Sequence, residues 1–145
     1  MTDSPLPDLP ITVRFPVHWG EMDAFDHVNN VTYFRYFESA RIAYFDALGY
    51  REAMAVERVG PILASTACRF RRPLTYPDDL VVGAGVSEVG ADRFTMQYAV
   101  WSTRLSTVAA TGEGLIVNYD YTNNRKAPLS DPIRAAIARL EGRTP

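Results

Sequence analysis

The chain has 145 residues, 47% of them hydrophobic, and a formal net charge of −2. This length implies one domain over residues 1–145, and the apolar share excludes a disordered chain. The charge balance argues against a general nucleic-acid binder, and no apolar run approaches the length of a membrane span.

All but one of the fifteen basic residues are Arg, the exception being Lys126. Either genomic composition accounts for this, or some guanidinium groups bind phosphate, whose oxygens their planar fork fits. Cys68 is the one cysteine, so no internal disulfide forms and a reducing compartment fits. Met1–Pro10 is acidic and proline-rich, unlike a signal peptide. A cytoplasmic protein is expected.

In chain order, residues 1–10 read as a loose leader. Ile11–His18 alternates apolar and polar residues, a strand signal. Pro16 lacks an N–H, so this strand is expected to lie at a sheet edge or to end near a bulge. Trp19–Asn29 is a polar loop. Asn30–Leu48 holds no proline or glycine and closes at Gly49, a C-terminal cap. Its apolar side chains cover most of the circumference, leaving Thr32, Arg35, Ser39 and Asp46 on a narrow stripe, so a buried helix is expected. Glu38 and Arg41, three apart, can pair on one face.

Beyond Gly60 the pattern changes to strands over Ile62–Arg72, Leu80–Val89, Arg93–Thr103 and Thr107–Tyr121. Their short separators imply antiparallel neighbours. Tyr76-Pro-Asp-Asp79 is turn chemistry, and Asn123–Lys126 a polar loop. Asp131–Glu141 reads as a C-terminal helix, with Ser130 or Asp131 as cap and Pro132 in its first turn. The order gives an α+β fold, one antiparallel sheet of about five strands wrapped around one long helix. Such a sheet covers only part of the helix and leaves edge strands to be covered, so a homodimer is the smallest expected assembly.

The densest chemistry lies in Trp19–Tyr33, which sets Asp23, His27, Asn29 and Asn30 just ahead of the long helix. A helix start offers unpaired N–H groups and positive potential. A carboxylate held there can attack a carbonyl, or direct water at it, while the carbonyl oxygen rests on those N–H groups. The segment is therefore a candidate acyl-transfer site.

Glu21-Met-Asp-Ala-Phe-Asp-His-Val-Asn-Asn-Val-Thr-Tyr33 resembles the signature of the 4-hydroxybenzoyl-CoA thioesterase-like acyl-CoA thioesterases. Phe70-Arg-Arg-Pro-Leu-Thr-Tyr-Pro-Asp-Asp-Leu80 resembles a second segment of that family, aromatic-x-x-Pro-Leu followed by an Asp-x-Leu turn. The likeness in element order runs from about Ile11 to Tyr121. It implies a hot-dog fold, in which the long helix is rolled in an antiparallel sheet. It also implies hydrolysis of acyl-CoA, with no metal and no cofactor beyond the CoA of the substrate. The family's carboxylate falls on Asp23, and its oxyanion-binding backbone falls near Asn30 and Val31. His27 and Asn29 match residues that shape the site. Glu21 stands where Asp is usual, and Pro77 replaces a frequent Gly. Asp26 stands where Gly is frequent, and Asp tolerates the left-handed backbone that a Gly position can demand.

Each assignment has a structural alternative. Asp23 caps the helix or makes a local Asx-turn, or else acts as nucleophile or general base. His27 is a loop hydrogen-bonder or a substrate contact. Asn29 and Asn30 are natural caps, which is compatible with a neighbouring backbone N–H serving substrate. Tyr33 is core or acyl-pocket wall. Glu38 pairs with Arg41, or positions water across a dimer interface. Arg69 and Arg71 share one strand face and Arg72 takes the other; they are either solvated surface or contacts for the CoA phosphates. The serines lack a nucleophile elbow, and Cys68 lies in an apolar strand. The expected partners are an acyl-CoA and further copies of the chain, as dimer or tetramer, at a site built from two subunits. A carrier-protein thioesterase and a non-hydrolytic acyl-binding module are the alternatives; a hot-dog dehydratase would need a second convergent His.

Overall fold

Apolar alternation at period two and one long stretch without helix breakers produce the main elements. The computed structural model describes residues 4–143. Strand β1 (Ile11–Pro16) leads through a short 3₁₀ turn (Trp19–Glu21) and the loop to α1 (Asn30–Leu48). There follow α2 (Tyr50–Glu57), β2 (Val59–Phe70), β3 (Asp79–Val89), β4 (Arg93–Ser102), β5 (Thr107–Asp120), β6 (Arg125–Lys126) and α3 (Asp131–Glu141). The sheet order is β1-β3-β4-β5-β2, with β6 paired to β5, and every pairing is antiparallel. Register shifts at Val86/Glu88, Val100/Trp101 and Leu63/Ser65 sharpen the twist, as bulges do, and help curl the sheet around α1. This is the hot-dog arrangement.

Helix α1 starts where the Asn29 side chain accepts the Val31 N–H at 3.0 Å and stops at Gly49, whose φ of +86° suits glycine. The helix lies over β1, β3 and β4. Phe37, Ala40 and Tyr44 have no exposed surface, and Phe94, Met96, Tyr98 and Val100 meet them from β4. Each large apolar side chain among them contributes about 1.5–3 kcal/mol by leaving water. The Phe37 ring stacks on Tyr98 at 5.0 Å and lies against β5, where a Cβ on Gly112 would collide with it.

Several expectations need correction. Helix α1 is not buried all round: Val31, Arg35, Glu38, Ser39, Ile42 and Asp46 are exposed, because the sheet encloses one side only. Glu38 and Arg41 do pair, at 3.9 Å, while Arg41 also donates to the Tyr98 hydroxyl at 3.3 Å. The leader is not loose from Ser4 onward. Leu6 is buried against Val81 and Ala99 on the outer sheet face, admitted by Gly83, where a Cβ would sit 2.9 Å from Leu9; residues 1–3 lie outside the described residues. Helix α2 is not anticipated, since it follows Gly49 directly with no side-chain cap. Its Tyr50 hydroxyl donates to the buried Asn118 at 3.0 Å. Asn123–Lys126 is not wholly loop, because Arg125 and Lys126 pair with β5.

Candidate active site

The loop between β1 and α1 is a miniature hairpin. Met22 and Val28 form an isolated antiparallel bridge, the Asp23 N–H donates to the His27 carbonyl at 2.8 Å, and the Asp26 N–H donates to the Asp23 carbonyl at 3.1 Å. The chain reverses at Asp26, whose φ is +63°, the left-handed conformation in which glycine is the easy choice and Asp the tolerated one. One Asp23 oxygen, Oδ1, accepts the Phe25 N–H at 2.8 Å, a local turn that holds the carboxylate in place. The neck is tied down on both sides: Val28 N–H donates to the Leu74 carbonyl at 2.8 Å and Asn29 N–H to the Glu21 carbonyl at 2.9 Å.

At the helix start the donors are already distributed. Val31 N–H goes to the Asn29 side chain at 3.0 Å, and Thr32 N–H goes to the Asn29 carbonyl at 2.9 Å. The Asn30 N–H has no acceptor among the described residues. Of the two backbone positions suggested from sequence, Asn30 is thus the one with a donor to offer, and Val31 is occupied by the cap.

A cleft of about 290 Å³ opens beside this helix start. It brings together His27, Asn30, Tyr33, Arg71 and Arg72, and Val28, Phe70 and Pro73 complete its lining. Asp23 lies outside that lining, half-buried in the adjoining loop. Tyr33 belongs to the core and also lines this cleft: it is 3% exposed, its hydroxyl accepts the Leu74 N–H at 3.3 Å, and its ring meets Phe70 edge-on at 4.9 Å. Phe70 is the functional candidate the sequence reading passes over, although its place at the head of the Phe70-Arg-Arg-Pro-Leu segment marked it.

The three arginines do not act as one cluster. Arg69 opens onto a groove shared with Gln97, Thr111 and Glu113, while Arg71 and Arg72 line the cleft. The expected alternation fails because β2 ends at Phe70. Arg71 and Arg72 then both donate their N–H groups to the Ala109 carbonyl, at 2.8 and 3.0 Å, the hydrogen-bond signature of a bulge.

Around the site the titratable groups are mostly restrained. Burial, and next the neighbouring Glu21 carboxylate, push the Tyr36 phenol far above its ordinary range. Burial also pushes the Cys68 thiol up to about 11, so it stays protonated at neutral pH and offers no ready nucleophile. Asp78 is buried, but its carboxylate is occupied by the Ser102 hydroxyl and, at 3.0 Å, by the Arg104 N–H, which makes it a turn fastener. Among the described residues no three His, Cys, Asp or Glu side chains gather as a metal-binding group, and no helix is long and apolar enough to cross a membrane.

Comparison with known proteins bears on the fold and the family. A thioesterase from Thermus thermophilus, crystallised with coenzyme A and Zn, is 30% identical, superposes with a TM-score of 0.82, and is covered over 98% of its length by 95% of this chain. Slr0204 of Synechocystis, a 1,4-dihydroxy-2-naphthoyl-CoA thioesterase, shares the fold at 20% identity, with a TM-score of 0.79 and coverage of 90% of this chain and 97% of that one. The uncharacterized protein YsmA of Bacillus subtilis is 34% identical over 85 residues, which span 59% of this chain and 56% of YsmA. Residues 17–137, from the end of β1 to the C-terminal helix, match the Thioesterase-like superfamily, and the chain belongs to that family.

Proposed function

We propose that the protein is an acyl-CoA thioesterase, converting R–CO–S–CoA and water to the free acid and CoA–SH in the cleft at the start of α1. The observation that carries this reading is the Asn30 N–H, left open at the positive end of a 19-residue helix beside a loop that holds a carboxylate. The carbonyl oxygen of the thioester accepts from that N–H, and the helix dipole favours the negative charge that develops there. Asp23 is the catalytic carboxylate. It either attacks the carbonyl carbon to give an anhydride, which water then opens, or it removes a proton from the attacking water. In both routes the thiolate leaves readily and collects a proton from solvent. His27 and Tyr33 border the acyl group, Asn29 holds the helix start, and Arg71 and Arg72 take the CoA phosphates.

A second copy of the chain completes the assembly, and the protein works in the cytoplasm. The first statement is supported by β2, an edge strand whose residues Ile62–Ala67 are all exposed and whose outer backbone groups have no partner strand among the described residues. The second is supported by the single cysteine. Free-thiol release from acyl-CoAs, from acetyl to palmitoyl and including aromatic acyl groups, tests the activity, and turnover lowered by about 10²-fold or more in Asp23→Asn is expected. Turnover on an acyl carrier protein alone would replace CoA as the substrate carrier, and none on either would leave an acyl-binding module. Sedimentation at micromolar concentration tests the assembly, for which a mass of at least two chains is expected.

A further inference from the structure

Glu21 has no chemical role in the reading above, yet it joins three separate pieces of the site. One carboxylate oxygen, Oε1, accepts both the His18 N–H at 2.8 Å and the Tyr36 hydroxyl at 3.0 Å. Its backbone carbonyl accepts the Asn29 N–H at 2.9 Å. The residue thereby connects the chain leaving β1, the cap residue of α1 and the second turn of that helix. Tyr36 cannot drift, because it is 3% exposed and its ring is packed at 5.3 Å from Phe15 and 5.9 Å from Tyr33.

The spacing gives the arrangement its effect. Tyr36 lies six residues beyond Asn30, roughly 9 Å along the helix axis. The Val28–Leu74 bond anchors the neck of the hairpin, and the cap gives it one tie to the helix. A second tie to the same helix, separated along its axis, restricts rotation of the His18–Glu21 turn about that neck. Asp23, two residues beyond Glu21 in the same loop, is then held in a fixed relation to the Asn30 N–H. Burial keeps the Tyr36 phenol protonated across the working range, so the hydroxyl stays a donor.

We infer that Glu21 is a positioning residue: through Tyr36 and Asn29 it fixes the Asp23 loop relative to the first N–H of α1. This rests on the thioesterase assignment for its kinetic consequence but not for its structural one. The geometry also makes a distinctive demand on side-chain chemistry. Both side-chain bonds end on one oxygen, so a Gln carbonyl can accept both in the same geometry, each weaker than to a carboxylate, and the positioning does not need the negative charge. An Asp is one methylene shorter and cannot hold both.

The test compares Glu21→Gln, Glu21→Asp, Tyr36→Phe and the Glu21→Asp/Tyr36→Phe double variant, with Gly112→Ala as a destabilised control whose added methyl meets the Phe37 ring and no loop residue. Two readouts are taken: kcat and KM from thiol release, and hydrogen exchange of the loop peptide containing the Asp23, Val28 and Asn29 amides. Tyr36→Phe and Glu21→Asp are each expected to lower kcat about tenfold or more, since sub-ångström to ångström misplacement costs that much, with KM within about twofold. Both are expected to speed exchange of the loop amides, and the double variant to be no worse than the poorer single one. Glu21→Gln is expected to retain wild-type kcat and exchange, and Gly112→Ala to leave loop exchange unchanged. Loss in Glu21→Gln equal to that in Glu21→Asp would overturn the proposal in favour of a charge effect. Unchanged kcat and exchange in Tyr36→Phe would overturn it outright. A wild type without turnover would defeat the thioesterase assignment, and the exchange measurement would still decide the positioning.

Discussion

Between Trp19 and Asn29 only Val28 is buried, and the loop takes its shape from hydrogen bonds: Asp23 to His27, Asp26 to Asp23, Val28 to Leu74, Asn29 to Glu21. Beneath α1 the balance is reversed. Phe37, Ala40 and Tyr44 are fully covered, and their neighbours on β3 and β4 are apolar. Directional bonds can place a carboxylate and a free N–H at a set separation while leaving both open to a ligand. Apolar packing resists deformation but leaves nothing reactive. Chemistry and stability are therefore expected to respond to different substitutions in this molecule.

The largest effect expected is on the loop. Asp23→Asn removes the charge but keeps the size, and it should reduce kcat by about 10²-fold or more, the usual worth of a positioned acid–base group. Its melting curve should match wild type to within about 0.5 kcal/mol, as for a substitution outside the core. A larger loss of stability would mean that the carboxylate belongs to the fold. Gly112→Ala is the mirror experiment. The added methyl meets the Phe37 ring, and overpacking of this kind costs about 1–3 kcal/mol, read from denaturant midpoints, with KM unchanged.

The arginines sharpen the contrast around the end of β2. Arg71→Ala or Arg72→Ala should raise KM about tenfold through loss of a charged hydrogen bond, with kcat little changed. Arg69→Ala should leave both alone, because Arg69 faces a different groove. Equal effects at all three positions would mean that the CoA tail crosses the strand end. The smallest effect concerns Cys68. Its folded thiol holds the proton more tightly than the ordinary value of 9.0, up to about 11. Its contribution to stability is thus present below about pH 9 and fades as pH climbs to about 11. Iodoacetamide labelling of folded protein should remain slow at about pH 9, where unfolded chain reacts, and accelerate towards about pH 11.

Much of the fold was legible in the residues. Asn30–Leu48 reads as one helix because nothing inside it breaks a helix and Gly49 stops it. The strands read as antiparallel neighbours because the turns between them are short, and Phe94, Met96, Tyr98 and Val100 alternate with less apolar partners. Pro16 placed β1 at an edge by its missing donor. Asp26 stands where Gly is frequent in the resembling family, which left the backbone there open from sequence, and its φ is positive. Helix α2 was not legible, since Gly49 looks like an end and gives no cap to announce a new start. The division of the arginines was not legible either, because alternation predicts faces only while a strand continues.

The amino-acid sequence by itself determined the element order, the polar loop ahead of the helix, and the candidate set Asp23, His27, Asn29 and Asn30. These depend on local rules: periodicity, breakers, caps and motif spacing. Tertiary structure decided which of two helix-start donors stays open, which arginines share a cleft with His27, and that Leu6 is bound to the outer sheet face. It also gave Glu21 its partner, fifteen residues along the chain at Tyr36. Each of these outcomes turns on where a donor finds an acceptor, or a side chain finds a hollow, once distant segments are brought together. No local pattern encodes that.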